Sequence, residues 1–318
     1  MGLTGNKLAW YLGRCWIGCI LVFFVGTPMV AAQEETIRVK TNLVTIPVTV
    51  LHRDGRFVTE LEKGNFQIFE NSIEQEAVLF ETTEVPISVM ILIDVSSSMT
   101  PQAIGELVNA SNTLVQKLRP DDQLIAATYS YHVYPVVDAM KVKDLKSGIK
   151  FKLQPFDAQT LIYDAVDYSL KKMRKIRGRK AIILFGDGTD SGMSASIKST
   201  LRDAEEQEAL IYTVQSRLLP NAPYTDPKRF AKSIEVATDY MKALAQKTGG
   251  RHFMIDDVTN LQDKFGQIAD ELRTQYTLGY YPTEDGKDGE RRRITVKVNI
   301  PNVAVRSRNE VVYKKPKK

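Results

Sequence analysis

Along LVTIPVTV, residues 43–50, apolar and polar positions alternate, so that Val44, Ile46, Val48 and Val50 share one face of a strand. Asp54-Gly55 follows as a hairpin-turn pair, and the short stretches NFQIFE and EAVLFE carry the β pattern onward to residue 85. Residues 36–85 contain no helical spacing. At Pro86 the pattern changes, and ISVMILID is an unbroken apolar run of the kind a strand covered on both faces requires. Pro101 then suits the first turn of a helix in which Leu107, Ser111, Leu114 and Leu118 recur at helical spacing. A strand DQLIAATYS, an amphipathic helix TLIYDAVDYSLKKM and a strand KAIILFGDG come next. The series continues as helix 194–209, strand LIYTVQ, helix 236–248, strand RHFMI and helix 258–274, whose buried stripe is Leu261, Phe265, Ile268 and Leu272.

Alternation of strand and helix over residues 86–275 predicts an α/β fold with a doubly wound, mainly parallel, Rossmann-like sheet. After it the β pattern returns in YTLGYY, in RRITVKVNI with Ile294, Val296, Val298 and Ile300 on one face, and in VAVRSRNEVVY. The segments 33–85 and 276–318 are each too small to bury a core alone. They are expected to pack together as a small β unit built from both chain ends. LLPNAPYTDPKRF reads as the one long loop, and no repeat or low-complexity tract interrupts the chain.

The first residues change the picture of where the protein works. Lys7 and Arg14 precede the apolar run Cys15 to Val25, and Val30-Ala31-Ala32 offers small residues for cleavage, the pattern of a secretory signal over residues 1–32. The run is short for a transmembrane helix. Export to the periplasm or the medium is expected, with an uncleaved inner-membrane anchor as the alternative and membrane contact only if the segment is retained. Cys19 lacks a lipoprotein setting, since Trp16 stands where a leucine is wanted. Both cysteines, Cys15 and Cys19, fall inside the signal, so the exported chain would have no disulfide, no thiolate catalysis and no cysteine-ligated zinc.

Charge argues against a nucleic-acid partner. The 318 residues carry a net +5, lowered to +3 by loss of Lys7 and Arg14, a mild balance where nucleic acid normally demands a concentrated basic face. The basic tail YKKPKK reads as a solvated end.

In an open α/β sheet, ligands bind beyond the carboxyl ends of the strands. Three polar clusters are expected there: Asp94-x-Ser96-x-Ser98, Thr160 at the start of a helix, and Asp187 in LFGDGTDS. Three hydroxyls and two carboxylates are hard oxygen donors that suit Mg²⁺ or Mn²⁺, not zinc or copper. Each residue also has a plainer reading: Ser96 or Ser98 as a helix cap, Thr160 as the cap of its own helix, Asp187 as a strand end. Asp190 reads as a turn residue, and Asp157 and Asp164 as solvated or capping groups.

Asp-x-Ser-x-Ser after an apolar strand, then Thr160 before YDA, then Asp187-Gly188 after a later strand, resembles the metal-ion-dependent adhesion site of von Willebrand factor type A domains. The resemblance covers residues 86–275. The flanks VTIPVTVLHRDGR and QYTLGYYP are similar to those of bacterial exported relatives of that domain. It implies that Ser96, Ser98 and Thr160 touch the metal while Asp94 and Asp187 act mostly through water. One departure is Ala158-Gln159, where many members carry Gly-Gly before the threonine.

The resemblance implies a non-enzymatic binding module in which an acidic side chain of a protein partner completes the metal shell. Rival readings are a metal-stabilised structural protein of the cell envelope and a metal-dependent phosphohydrolase. The latter needs, in the haloacid dehalogenase type, a second acid two residues after the first, where this chain has Ser96. His52, His132 and His252 stand apart, with no HExxH, no Gly-x-Ser-x-Gly elbow and no phosphate-cradling loop.

Overall fold

The computed structural model describes residues 43–313, apart from 83, 98, 152–158, 193 and 218–226. The expected signal segment, Ser98, Asp157, Ala158, most of the long loop and the basic tail lie outside the described residues. The chain opens with β1 (Val44–His52), β2 (Phe66–Glu70), β3 (Ile73–Gln75) and β4 (Ala77–Glu81). The α/β part follows as β5 (Ile87–Asp94), α1 (Pro101–Lys117), β6 (Gln123–Tyr129), β7 (Val133–Lys141) and α2 (Ile162–Arg174). It continues through β8 (Arg179–Gly186), α3 (Ile197–Glu205), β9 (Ala209–Ser216), α4 (Pro227–Thr248), β10 (His252–Ile255) and α5 (Leu261–Leu272). The chain closes with β11 (Tyr276–Tyr280), β12 (Arg291–Val298), β13 (Val303–Ser307) and β14 (Glu310–Val312).

The central sheet runs β10-β9-β8-β5-β6-β7, parallel except for β7 at one edge. Its order reverses around β5, which is where a doubly wound sheet opens a crevice between loops. All eight residues of β5 are buried, as the unbroken apolar run requires. Ile91, Ile93 and Val95 face α1 and α5, where Leu107, Leu114, Phe265 and Ile268 pack. Met90 and Leu92 face α2, α3 and α4 through Ile162, Leu170, Ala204 and Met241. Truncating Ile91 to alanine in this two-sided core would cost about 3 kcal/mol.

β7 departs from the sequence reading. Val133–Lys141 is mostly exposed and contains Pro135, so it shows neither alternation nor an apolar run. Its edge position tolerates both. α4 also starts earlier than the expected 236, at Pro227, where a helix accepts proline in its first turn.

The β unit from the two chain ends consists of two four-stranded sheets, β13-β1-β11-β4 and β14-β12-β2-β3. β1 lies between β11 and β13, with Val48 opposite both Tyr276 and Ser307, and β12 pairs β2 with Val296 opposite Ile68. Each sheet therefore mixes strands from both ends of the chain. Val44, Ile46, Val48 and Val50 are buried in their shared core with Ile68, Leu278 and Ile294. Where the first β segment joins the α/β part, Arg179 of β8 donates to the Val85 carbonyl (3.1 Å) and also to the Leu272 carbonyl (2.8 Å) at the end of α5. The β unit is fastened to the α/β part by the ion pair between the half-buried Arg306 of β13 and the buried Glu271 of α5.

Candidate metal centre

β5 delivers Asp94 to the carboxyl end of the sheet and buries it to 1% exposure. Asp94 Oδ1 accepts a hydrogen bond from the Ser96 backbone N–H at 2.8 Å, which turns the chain sharply and leaves Ser96 buried beside it. Val95 N–H donates to the Tyr129 carbonyl at 2.9 Å, tying this turn to the end of β6. The cap of α1 is Thr100, whose side chain accepts from Ala103 N–H, so Ser96 is not used as the cap.

At the neighbouring strand end, Gly186 closes β8 against Asp94. A Cβ there would lie 2.5 Å from Tyr129 Oη and 3.2 Å from Asp94 Oδ2, so only glycine admits this approach. Asp187 follows directly. Its Oδ1 accepts from the backbone N–H (2.8 Å) and hydroxyl (2.7 Å) of Thr189, and its carbonyl accepts from Gln215 Nε2 at 2.8 Å. The two Thr189 bonds orient the carboxylate, and the Gln215 bond holds the backbone beneath it.

Thr160 is held from two sides. Its N–H donates to Ser191 Oγ at 3.3 Å, Ser191 N–H donates to its carbonyl at 2.8 Å, and the next residue, Leu161, donates to the Ser130 carbonyl at 2.9 Å. The cap position of α2 is Leu161, with no side-chain cap, so Thr160 does not cap its helix. Its hydroxyl makes no hydrogen bond among the described residues. The loops of β5, β6, β8 and α2 are thus laced into one surface carrying Asp94, Ser96, Thr160 and Asp187. Ser98 lies outside the described residues.

The electrostatics of this surface are lopsided. Burial, and then the charge of Asp187, push the Asp94 carboxyl up to about 7 against the hydrogen bonds from Ser96. Among the described residues no lysine, arginine or histidine forms an ion pair with Asp94 or Asp187. Two like-charged carboxylates beside hydroxyl oxygens form a donor set fitted to a hard divalent cation. No cluster of three or more His, Cys, Asp or Glu occurs among the described residues, so hydroxyls are needed to complete such a set.

Asp190 accepts from the N–H groups of Tyr163 (3.3 Å) and Gly192 (2.6 Å), a turn and helix-start role. Asp164 accepts from Ser194 and Ala195 N–H and braces the same loop. Tyr129 was not legible as a site residue. It looks like any strand residue, yet its hydroxyl donates to the Phe185 carbonyl at 3.2 Å and packs where Gly186 meets Asp94. Among the described residues no helix is long and apolar enough to cross a membrane.

The family model of the von Willebrand factor type A domain matches residues 88–267. None of the curated proteins matches the chain. Among solved structures, the chain is similar to an aerotolerance-related membrane protein from Bacteroides fragilis, at 14% identity and TM-score 0.42, over 58% of this chain and 98% of that one. It is similar to a von Willebrand factor type A protein from Catenulispora acidiphila, at 11% identity and TM-score 0.44, over 79% of this chain and 73% of the other. A third is proximal thread matrix protein 1 from the mussel byssus with a zinc-occupied MIDAS motif, at 13% identity and TM-score 0.45, over 63% of this chain but only 48% of that one. The matched residues make up more than half of the 318, and the chain belongs to the von Willebrand factor type A domain family.

Proposed function

We propose that this chain is an exported protein-binding module whose contact with its partner depends on a divalent cation, Mg²⁺ or Mn²⁺. Asp94, Ser96, Ser98, Thr160 and Asp187 would hold the ion. The observation that carries this reading is the buried Asp94 beside Asp187 with no cationic side chain paired to either among the described residues. Bound there, the ion would supply a Lewis-acidic position for an acidic side chain of the partner. The residues' own part is to present oxygen ligands on rigid turns, with the carboxylates oriented by Ser96 and Thr189 N–H groups. Neutral hydroxyl ligands leave the ion electrophilic, which favours an anionic group from outside. In this reading the hydroxyls of Ser96 and Thr160 are neutral metal ligands, and no reaction is assigned to them.

Calorimetric titration of the purified chain with Mn²⁺ tests the ion site directly. Binding is expected in the wild type and at least tenfold weaker in Asp94→Ala and Ser96→Ala, with thermal melts of both variants as the folding control. Capture of a partner from envelope extracts should require the divalent ion and fail with chelator. A partner held by Asp94→Ala protein in chelator as tightly as by wild type would overturn the mechanism.

A further inference from the structure

At the end of the central sheet opposite Asp94 and Asp187, a cavity of about 170 Å³ lies between the strand starts and the β unit. β5, β8 and β9 begin side by side there, with Ile87 opposite Arg179 and Lys180 opposite Ala209. The β unit contributes residues of β1, β4 and β11, among them Thr45, Glu81 and Thr277. The cavity therefore exists only because the two chain ends fold onto this end of the sheet.

Four charged residues line it without an ion pair among the described residues. Arg179 is buried, and the carbonyls of Val85 and Leu272 take two of its five N–H donors, leaving three. Lys180 is half-buried, and its ammonium makes no hydrogen bond among the described residues. Glu81 and Glu208 are the two acids, and neither carboxylate accepts a hydrogen bond among the described residues. Burial pulls Arg179 and Lys180 below their ordinary pKa values, so the chain alone does not make up for their lost hydration. Neutral groups are left open as well. The hydroxyls of Thr45 and Thr277 have no partner among the described residues, and neither has the side-chain oxygen of Gln275, whose Nε2 donates to Thr49 Oγ1 at 3.4 Å. Leu79 and Leu210 add aliphatic surface.

That lining selects among occupants by charge. A simple anion would meet Glu81 and Glu208, and a simple cation would meet Arg179 and Lys180. A wholly apolar molecule would strip water from all four without replacing a hydrogen bond. A zwitterion answers both signs: its carboxylate accepts charge-assisted N–H bonds, its ammonium donates them, and a short apolar remainder covers the aliphatic surface. Size sets the upper limit, since a cavity of about 150 Å³ is filled by a benzene-sized molecule. We propose that this cavity binds a free α-amino acid with a small apolar side chain. The site is separate from the candidate metal centre and does not depend on the adhesion reading.

The test titrates L-alanine, L-valine and L-leucine into the ¹⁵N-labelled full chain in EDTA, which keeps their carboxylates off any metal. At least one is expected to give saturable shifts at the amides of Lys180, Glu208 and Thr277, and none at Ser96 or Thr189. For the tightest binder, the controls are the acid that lacks its ammonium and the amine that lacks its carboxylate, isovalerate and isobutylamine in the case of valine. Both are smaller than the amino acid, so size excludes neither. Each should bind about tenfold more weakly or worse, the scale of one lost charge-assisted contact. Lys180→Gln and Glu208→Gln should each weaken the amino acid by about the same factor, with thermal melts as the folding control. Arg179 is left intact, because its bonds to Val85 and Leu272 also serve the fold. No saturable shift from any of the three amino acids would overturn the proposal. So would a one-charge control that binds as tightly as its parent, or affinity unchanged in both variants.

Discussion

Glu271 at the end of α5 and Asp94 at the end of β5 are each 1% exposed, but their surroundings have opposite character. Glu271 is paired with Arg306 and accepts hydrogen bonds from Tyr212 (2.7 Å) and Thr49 (3.4 Å). In the β unit, Glu70 is treated the same way: Arg292 lies at 2.5 Å, and Tyr280 and Tyr313 donate to its other oxygen. Burial of Glu205 raises its pKa, but the pairing with Arg291 and Lys247 outweighs this and leaves it below the usual range. Among the described residues Asp94 has Ser96 as its donor, and the charge that acts on it is the like charge of Asp187. Removing an ion from water costs several kcal/mol unless a partner offsets it. Acids that hold this fold together therefore come with their own cations, and the pair at the carboxyl end of the sheet has none among the described residues.

That contrast can be broken by substitutions of opposite expected sign. The largest effect should come from Arg306→Met, which strands the charge of Glu271 and should lower stability by about 3 kcal/mol in urea unfolding. Adding Glu271→Gln should restore much of the loss; a double variant no better than the single would mean that Arg306 acts through packing alone. Asp94→Asn should do the reverse in metal-free protein, raising stability by about 1–2 kcal/mol as buried like charge is removed. It should also remove the gain that Mg²⁺ gives the wild type by binding the folded state. Destabilisation of the metal-free protein by this change would place Asp94 among the structural acids. The smallest effect, under about 0.5 kcal/mol, is expected from Lys172→Met, since its pair with Asp138 (2.5 Å) lies at the surface with Asp138 73% exposed. A larger loss there would show that burial is not what separates the two classes.

Much of the architecture could be read directly from residue patterns. ISVMILID and KAIILFGDG announced β5 and β8, because a strand covered on both faces must be apolar throughout. Alternation at Val44, Ile46, Val48 and Val50 marked the buried face of β1. β7 was hidden because an exposed edge strand has no reason to alternate, and the start of α4 because prolines upstream read as loop. In the candidate site, Asp94, Ser96, Thr160 and Asp187 stood out by type and spacing. Tyr129 and Gly186 did not, since their part is to bring two backbones close, and that leaves no trace in composition.

The sequence by itself determined the period of each strand and helix, the hydroxyl-and-carboxylate turn after β5, and the need for the two chain ends to share a core. Those follow from local sterics and from the count of apolar positions. Only the tertiary structure decided which acids are neutralised and which are not. Glu271 meets Arg306, Glu70 meets Arg292, and Thr160 meets Ser191 across long stretches of chain. Electrostatic pairing acts through space over a few ångströms, so its outcome is set by the path of the folded backbone and not by distance along it.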